Sequence, residues 1–468
     1  MLPQRHEYDV CGGSVVPSLR FKFLGGEMGN EILRATDVFG ITRDLPLNYV
    51  TRPAVDDELV AALSRDQHLV IYGSSKQGKT SVRKYHLRDE EYIVATCSNR
   101  WNLGQLNSTI LKQAGYTVVQ TETRAASGHY KIQASAKLSA KLFGKGIEGQ
   151  VGGEGGRQTT SEVTTAPLEL DPFDVNDVIC ALKEIGFDKW IVLEDFHYLP
   201  EDTQKDFAVA LKAFHESSSF TFIIVGVWLQ ENRLVQFNGD LSGRITAINA
   251  DRRLRPELKE AIDLGEEKLG IKFDSAFRDT LLSSCYDSIY VVQESCLQAC
   301  IKSGVHETQR PTRAVAVGAS ANSIIKEVVD KQSARFSDFL TDFAAGFGQT
   351  DLEMYRWLLV PLIGASTEML ENGIPYRNIR RVLSRVHPRG SSLNAGNVTQ
   401  ALKGVASLQV LQGVKPLVLD YDQSLKRLNI VDRSFLIWLV QQDKEDLADM
   451  IDVPVGVLQS LEAEEEEE

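Results

Sequence analysis

The chain has little cysteine, no cysteine pair at metal-ligand spacing, and no apolar run long enough to cross a bilayer. Its six cysteines, Cys11, Cys97, Cys180, Cys285, Cys296 and Cys300, are scattered through 468 residues without a C-x-x-C pair. Cys296 and Cys300 stand one helical turn apart, but no His or Cys pair nearby completes a zinc set. This argues against a disulfide scaffold and for reduced, mostly buried thiols in a cytoplasmic protein. No charged start followed by an apolar run opens the chain, so no signal peptide is expected. No stretch approaches the roughly 20 apolar residues of a membrane span, so no membrane partner is expected. An excess of positive charge is missing too: 51 Lys and Arg face 64 Asp and Glu, a net charge of −13. Such a chain is no general coater of nucleic acid, although a local basic patch can still bind it. Part of the negative charge is a tail, Glu462 and Glu464 to Glu468, set outside the fold. What remains is an ordinary globular composition, 43% hydrophobic and 25% charged, in a length that suits two or three domains.

One stretch organises the rest. Gly73-Ser74-Ser75-Lys76-Gln77-Gly78-Lys79-Thr80 reads G-x-x-x-x-G-K-T, the pattern of a phosphate-binding loop. The apolar run His68 to Tyr72 before it suits a buried strand, and Ser81 to Tyr85 after it can continue a helix. The glycines let the backbone curl so that successive N–H groups face phosphate oxygens, and the helix dipole adds to them. Lys79 supplies a charge to the β- and γ-phosphates, and the Thr80 hydroxyl is the expected Mg2+ ligand. Residues Gly73 to Ser81 are therefore the candidate nucleotide site.

A second element answers the first. Trp190-Ile191-Val192-Leu193 is an apolar strand ending in Glu194 and Asp195. A central parallel strand delivers its carboxylates to the sheet edge that carries the phosphate loop. One carboxylate would hold Mg2+ and the other polarise the attacking water. Tyr92 to Cys97 and Phe220 to Trp228 read as further strands. Gln230, Glu231, Asn232 and Arg233 follow the latter, where a residue reading the γ-phosphate would stand. Arg52, in the lead to the first strand, is either a base or phosphate contact or a plain surface arginine. Arg244, presented by the turn after Asn238-Gly239-Asp240, is either an arginine finger for a neighbouring subunit or a salt-bridge partner of Asp240.

The expected organisation is an N-terminal extension over 1–48 and an α/β P-loop domain over 49–250, with a parallel sheet and helices on both faces. A glycine-rich hairpin and loop at about 130–165 interrupts that domain. A helical lid over 251–348, a winged-helix domain over 349–445 and an acidic tail over 446–468 follow. Three helices, of which the first runs from Leu352 to Asn372, precede short strands at Leu408–Leu411, 417–419 and 428–431, the order of a winged helix. Its third helix, Asn394 to Lys403, is polar but nearly uncharged. The basic cluster lies one helix earlier, at Arg377, Arg380, Arg381, Arg385, His387 and Arg389. It either grips DNA phosphates or docks on the acidic ATPase domain, with docking favoured.

Together, Gly73 to Thr80, Trp190 to His197, the strand to Gly226, Gly239 to Arg244 and the closing Asp432-Arg433-Ser434-Phe435 resemble the AAA+-like P-loop ATPases, and in particular the STAND class of signal-transduction ATPases. The resemblance covers roughly residues 50 to 440. It implies ATP rather than GTP, in keeping with the missing N-K-x-D guanine motif, and Mg2+. The family's acidic pair is Asp then Glu, whereas here Glu194 precedes Asp195. By position Glu194 falls on the Mg2+ ligand and Asp195 on the base, or the two exchange roles. Either way slow turnover is expected. The resemblance further implies a switch that oligomerises or engages a protein partner, in signalling or phage defence. The alternatives are a DNA-binding initiator or transposition-helper ATPase and a scaffold that binds nucleotide without hydrolysing it. No repeat array or effector motif is present.

Overall fold

The alternation of side chains along His68–Gly73 (β1) explains the architecture. Val70 and Tyr72 point to one face of a sheet, and Leu69 and Ile71 to the other. All are buried, as expected for a strand covered on both sides. The computed structural model describes residues 32–42, 44–124, 129–139, 162–164, 167–251, 255–348, 350–390, 393–454 and 456–458. The fold lies within residues 33–458. The glycine-rich loop expected within 130–165 falls largely outside the described residues, as do the N-terminal segment 1–31 and the glutamate tail.

Tyr92–Thr96 (β2), Trp190–Glu194 (β3), Phe222–Val227 (β4) and Ile245–Asn249 (β5) complete a five-stranded parallel sheet ordered β2-β3-β4-β1-β5. One face packs Leu106, Leu182, Phe207 and Leu211 from the helices Leu103–Gln113, Val175–Glu184 and Glu201–Ser217. The other packs Leu59 and Val82 from Glu58–Leu63 and Lys79–His86. The register puts Gly73 beside Val227 and Thr96 beside Glu194, so the chain leaves β1, β3 and β4 at one edge.

Several elements differ from the sequence reading. Ile245–Asn249 is the fifth core strand, where a turn leading into helices was expected. Tyr116–Arg124, Tyr130–Ser139, Glu162–Thr164 and Leu168–Leu170 form an antiparallel sheet that buries Ile132, Ala134 and Ala136, so this hairpin packs on the core instead of standing free. In the lid, Ile271–Phe273 pairs with Arg313–Val315 among the helices. The long helix expected from Leu352 breaks into Met354–Ile363 and Thr367–Asn372, the second capped by Ser366. Leu408–Leu411 belongs to the helix Val405–Leu411, because four residues that alternate only once fit either state. The strands Leu419–Asp422 and Arg427–Ile430 pair with each other, and Ile374–Pro375 joins the second. The ends are less detached than expected: Val38 and Phe39 at one end and Leu447, Ile451 and Leu458 at the other are buried in the large C-terminal core. No helix among the described residues is long and apolar enough to cross a membrane.

His68, the first residue of β1, is fully buried. Its Nδ1 accepts the Phe222 N–H at 3.2 Å and its Nε2 faces the Leu211 carbonyl at 3.1 Å. Acceptance at Nδ1 requires the neutral ring, and burial pushes its pKa down to about 4. Below the ordinary value of 6.5 the unfolded chain takes up a proton that the fold refuses. Stability carried by His68 is thus complete above pH 6.5 and falls by about 3 kcal/mol as the pH drops to about 4. Urea unfolding followed from neutral pH downward should show this acid limb. His68→Asn should be less stable at neutral pH but flatter in its pH dependence.

Candidate functional site

The loop after β1 is shaped by three left-handed positions, Gly73 at φ 145°, Lys76 at φ 58° and Gly78 at φ 78°. A Cβ on Gly73 would meet Asp251 Oδ1 at 2.6 Å. Asp251 needs that approach, because its carboxylate accepts the Ser74 N–H at 2.6 Å and the Ser74 hydroxyl at 2.5 Å. Asp251 stands two residues beyond β5, so the strand missed in the sequence is also the one that anchors the loop.

Lys79 opens the helix Lys79–His86 and is buried. Its ammonium donates to the carbonyls of Gly73 at 3.1 Å and Ser74 at 2.5 Å. Burial lowers its pKa to about 8, against the opposing pull of Asp251, Glu194 and Asp195. Before it opens a cavity of about 360 Å³, lined by Ser75 to Ser81, Glu194, Asp195 and His197. The lining also includes Gly40, Ile41, Thr42 and Asn48 to Val50, and Ala261, Ile289, Tyr290 and Gln293 from the helical part that follows the sheet. Asn48 and Gln293 tie these two segments together with reciprocal amide bonds of 3.0 and 2.8 Å. No local motif marks Asn48, Tyr290 or Gln293, and sequence reasoning missed all three.

The two acids reach the cavity in different states. Glu194 Oε1 accepts from Arg83 Nε at 3.2 Å and Nη2 at 3.1 Å, and the Arg83 guanidinium stacks on Tyr92. Asp195 sits in the left-handed region at φ 58°, half-buried. Burial raises the pKa of both carboxyls; the charge of Arg83 opposes it at Glu194 and that of Lys79 at Asp195. Thr80 contributes a hydroxyl to the same wall. A hydroxyl and half-buried carboxylates are hard oxygen donors of the kind Mg2+ takes.

Other predicted residues lie elsewhere. Arg52 does not line the cavity. It is buried, donates to the Ala250 carbonyl at 2.7 Å and has Asp56 at 3.9 Å, so its side chain fastens the end of β5. Arg244 precedes β5, and its carbonyl accepts the N–H of His68. It therefore stands at the sheet edge opposite the loop, out of reach of its own cavity. Its guanidinium pairs with Glu216 at 2.8 Å and also donates to the Asp240 carbonyl, while the Asp240 carboxylate pairs with Lys212. Gln230 and Arg233, expected near the phosphates, turn instead to the C-terminal part: Arg233 meets the buried Asp420 at 3.2 Å, and Gln230 faces Gln423. Of the basic cluster, Arg377, Arg380, Arg381 and Arg385 are exposed on the helix Tyr376–Val386, while His387 is buried against the Leu352 carbonyl and Arg389 lies 3.9 Å from Asp351.

The C-terminal part meets the loop itself. The Val431 carbonyl accepts the Ser75 N–H at 2.7 Å. Lys76 donates to Gln332 at 3.0 Å and lies 4.0 Å over the Tyr290 ring. Arg335 joins Gln332 to Asp432, with 2.5 Å between Arg335 and Asp432.

Removing Arg83 would leave Glu194 a buried carboxylate without its partner. Arg83→Gln should cost about 3 kcal/mol of unfolding free energy near neutral pH. Because the fold holds the Glu194 carboxyl above its ordinary pKa, the folded state takes up the proton first on acidification, and the loss should shrink as pH falls. Urea unfolding of the variant and wild type at neutral pH and at about pH 5 measures both effects.

No protein-family model matches this chain, and no curated protein matches it. Among solved structures it is similar to the Walker-type ATPase PABY2304 of Pyrococcus abyssi, with a TM-score of 0.51 and 11% identity over 86% of this chain and 99% of that one. The Orc1 protein of Aeropyrum pernix, solved in complex with DNA, aligns with a TM-score of 0.39 and 10% identity over 89% of this chain and 97% of that one. At such identities the likeness to PABY2304 is one of fold: this chain has the α/β architecture of the Walker-type P-loop ATPases, a central parallel sheet flanked by helices with a largely helical C-terminal part.

Proposed function

We propose that the chain is an ATP-dependent switch that binds Mg-ATP at Gly73 to Ser81 and hydrolyses it slowly. The observation that carries this reading is the bond from Ser75 N–H to the Val431 carbonyl. The phosphate loop is held by the same C-terminal part that nucleotide binding would have to accommodate. The two therefore share one set of backbone donors, and their occupancies are coupled.

The chain's own groups suggest the division of labour. Lys79 would exchange the carbonyls of Gly73 and Ser74 for phosphate oxygens, which relieves the burial that depresses its pKa. Thr80 and Asp195 would hold Mg2+, which when bound supplies positive charge to the phosphate oxygens. Glu194 has Oε1 committed to Arg83, so Asp195 is the carboxylate more open to the contents of the cavity. A site with one such carboxylate for both metal and water suits slow hydrolysis. Residues 349–445, read as a winged helix with the short strands Leu419–Asp422 and Arg427–Ile430 as its wing, support a regulatory C-terminal domain. Arg244, at the far edge of the sheet, fits a finger toward a neighbouring copy in an oligomer. A role in signalling or phage defence rests on the STAND resemblance, and a cytoplasmic location on the scattered cysteines.

The second reading is a DNA-stimulated ATPase, favoured by the exposure of Arg377, Arg380, Arg381 and Arg385 along one helix.

Phosphate release from Mg-ATP, with and without duplex DNA, tests both. The switch reading expects turnover below about 1 per second, indifference to DNA, and none in Lys79→Ala. Arg335→Ala, which frees Asp432 and loosens the hold on the loop, should raise turnover about 3- to 10-fold. Unchanged turnover in Lys79→Ala would overturn the site. Stimulation by DNA that disappears in Arg377→Ala/Arg380→Ala would replace the switch with the second reading.

A further inference from the structure

The end of β4 brings no polar side chain to the cavity. Val225, Gly226 and Val227 line it there, and Trp228 turns into the core across Gly226, where a Cβ would meet the indole at 1.5 Å. Gln230, the first polar residue beyond, faces the C-terminal part. Yet a terminal phosphate held by Lys79 would lie between the ends of β1, β3 and β4. Besides the two acids, an imidazole lines this corner, from the turn after them.

That group is His197, on the short turn Phe196–Tyr198. It lines the cavity and is only 3% exposed. Its Nδ1 accepts the backbone N–H of Val227 at 3.2 Å. A ring that accepts at Nδ1 and is neutral carries its proton on Nε2. Nε2 is buried and has no hydrogen-bond partner among the described residues. A buried donor without an acceptor is costly, and such a group in a cavity marks the place of a ligand atom.

We propose that His197 is the residue that distinguishes a nucleoside triphosphate from a diphosphate, with Nε2–H donating to an oxygen of the terminal phosphate. The proposal rests on the reading of the cavity as an ATP site and adds its discriminating contact. Because Nδ1 accepts the Val227 N–H, the ring donates from Nε2 as a neutral group. A neutral donor responds to the presence of the oxygen and adds no charge that would also tighten diphosphate binding. Its position is fixed on one side by the Val227 bond. On the other, Tyr198 packs with Val227, Leu417 and Val431, which carries the carbonyl that holds Ser75. Contact with the terminal phosphate is thus one turn away from the segment that closes the loop.

Two substitutions separate the ring's two bonds. His197→Asn keeps an acceptor near Nδ1 for Val227 and withdraws the donor from the cavity. His197→Gln places an amide near Nε2 and gives up the Val227 bond. Binding of ADP and of the slowly hydrolysed analogue ATPγS to the full chain, by titration calorimetry with Mg2+, gives the affinity ratio. In His197→Asn, ADP affinity should stay within about twofold while the preference for ATPγS falls about 10- to 100-fold, the worth of one hydrogen bond to a charged group. His197→Gln should recover most of that preference. An unchanged ATPγS-to-ADP ratio in His197→Asn, or equal weakening of both nucleotides, makes His197 structural and overturns the proposal alone. If the wild-type chain binds neither nucleotide, the ATP-site reading falls and the proposal with it.

Discussion

The site depends on β1 being hydrogen-bonded on both sides in parallel register. β4 and β5 flank it, and those two ladders fix where Gly73 leaves the sheet. Everything around the loop follows from that point. Val227 lies beside Gly73 and offers its N–H to His197. Asp251, just past β5, reaches Ser74 across the space that the missing Cβ of Gly73 leaves open. Glu194 leaves β3 at the same edge as Thr96 leaves β2. A parallel sheet brings its strand ends together in this way without any of the residues being near in sequence. Burial on both faces, with Ile71, Val192, Phe222 and Ile224 all fully enclosed, makes the arrangement stiff.

The electrostatics of the corner have a common cause. Lys79 is pushed toward neutrality, Glu194 and Asp195 are pushed toward protonation, and His197 is kept uncharged. Each shift has desolvation as its largest cause, so each charged form lacks part of the solvation it would have in water. An anionic ligand offers Lys79 the partner that two backbone carbonyls now provide. A cation brought with that ligand offers the same to the carboxylates. On the proposed reading, a metal-bound polyphosphate would relieve all of these groups at once, which is the physical content of preorganisation.

The loop was legible in the sequence because each of its positions is dictated by chemistry: glycine where the backbone turns left-handed or another group approaches, lysine where charge is needed, and an apolar run before it. Trp190 to Asp195 was legible for a related reason, since four apolar residues ending in two acids have few other uses. Ile245–Asn249 escaped because it is short, contains Thr246 and Asn249, and follows directly on a turn. Val405–Leu411 was misread because Leu-Gln-Val-Leu alternates like a strand although Leu408 and Gln409 lie on a buried helical face. Arg52 was misplaced because a basic residue ahead of a phosphate-loop strand gives no sign of which way it points; here it is claimed by Ala250 and Asp56. Contacts such as Asn48 with Gln293 or Ser75 with Val431 join residues hundreds of positions apart and leave no local trace.

Those long-range contacts are where the fold turns into a device. Tyr198, Val227, Leu417 and Val431 form one small apolar cluster between the ends of β3 and β4 and the C-terminal part. On one side of it His197 lines the cavity, and on the other the Val431 carbonyl holds the loop. Lys415 lies over the Tyr198 ring, and Arg335 ties the next residue, Asp432, to the lid. A close-packed cluster of this size cannot yield on one side and stay fixed on the other, because small voids cost contacts directly. Whatever fills the cavity up to His197 therefore bears on the position of Val431, and whatever moves the C-terminal part bears on the loop. By linkage the two effects are equal in free energy: on the proposed switch reading, a partner that lifts the C-terminal part would strengthen nucleotide binding by the same factor by which nucleotide would strengthen the partner's.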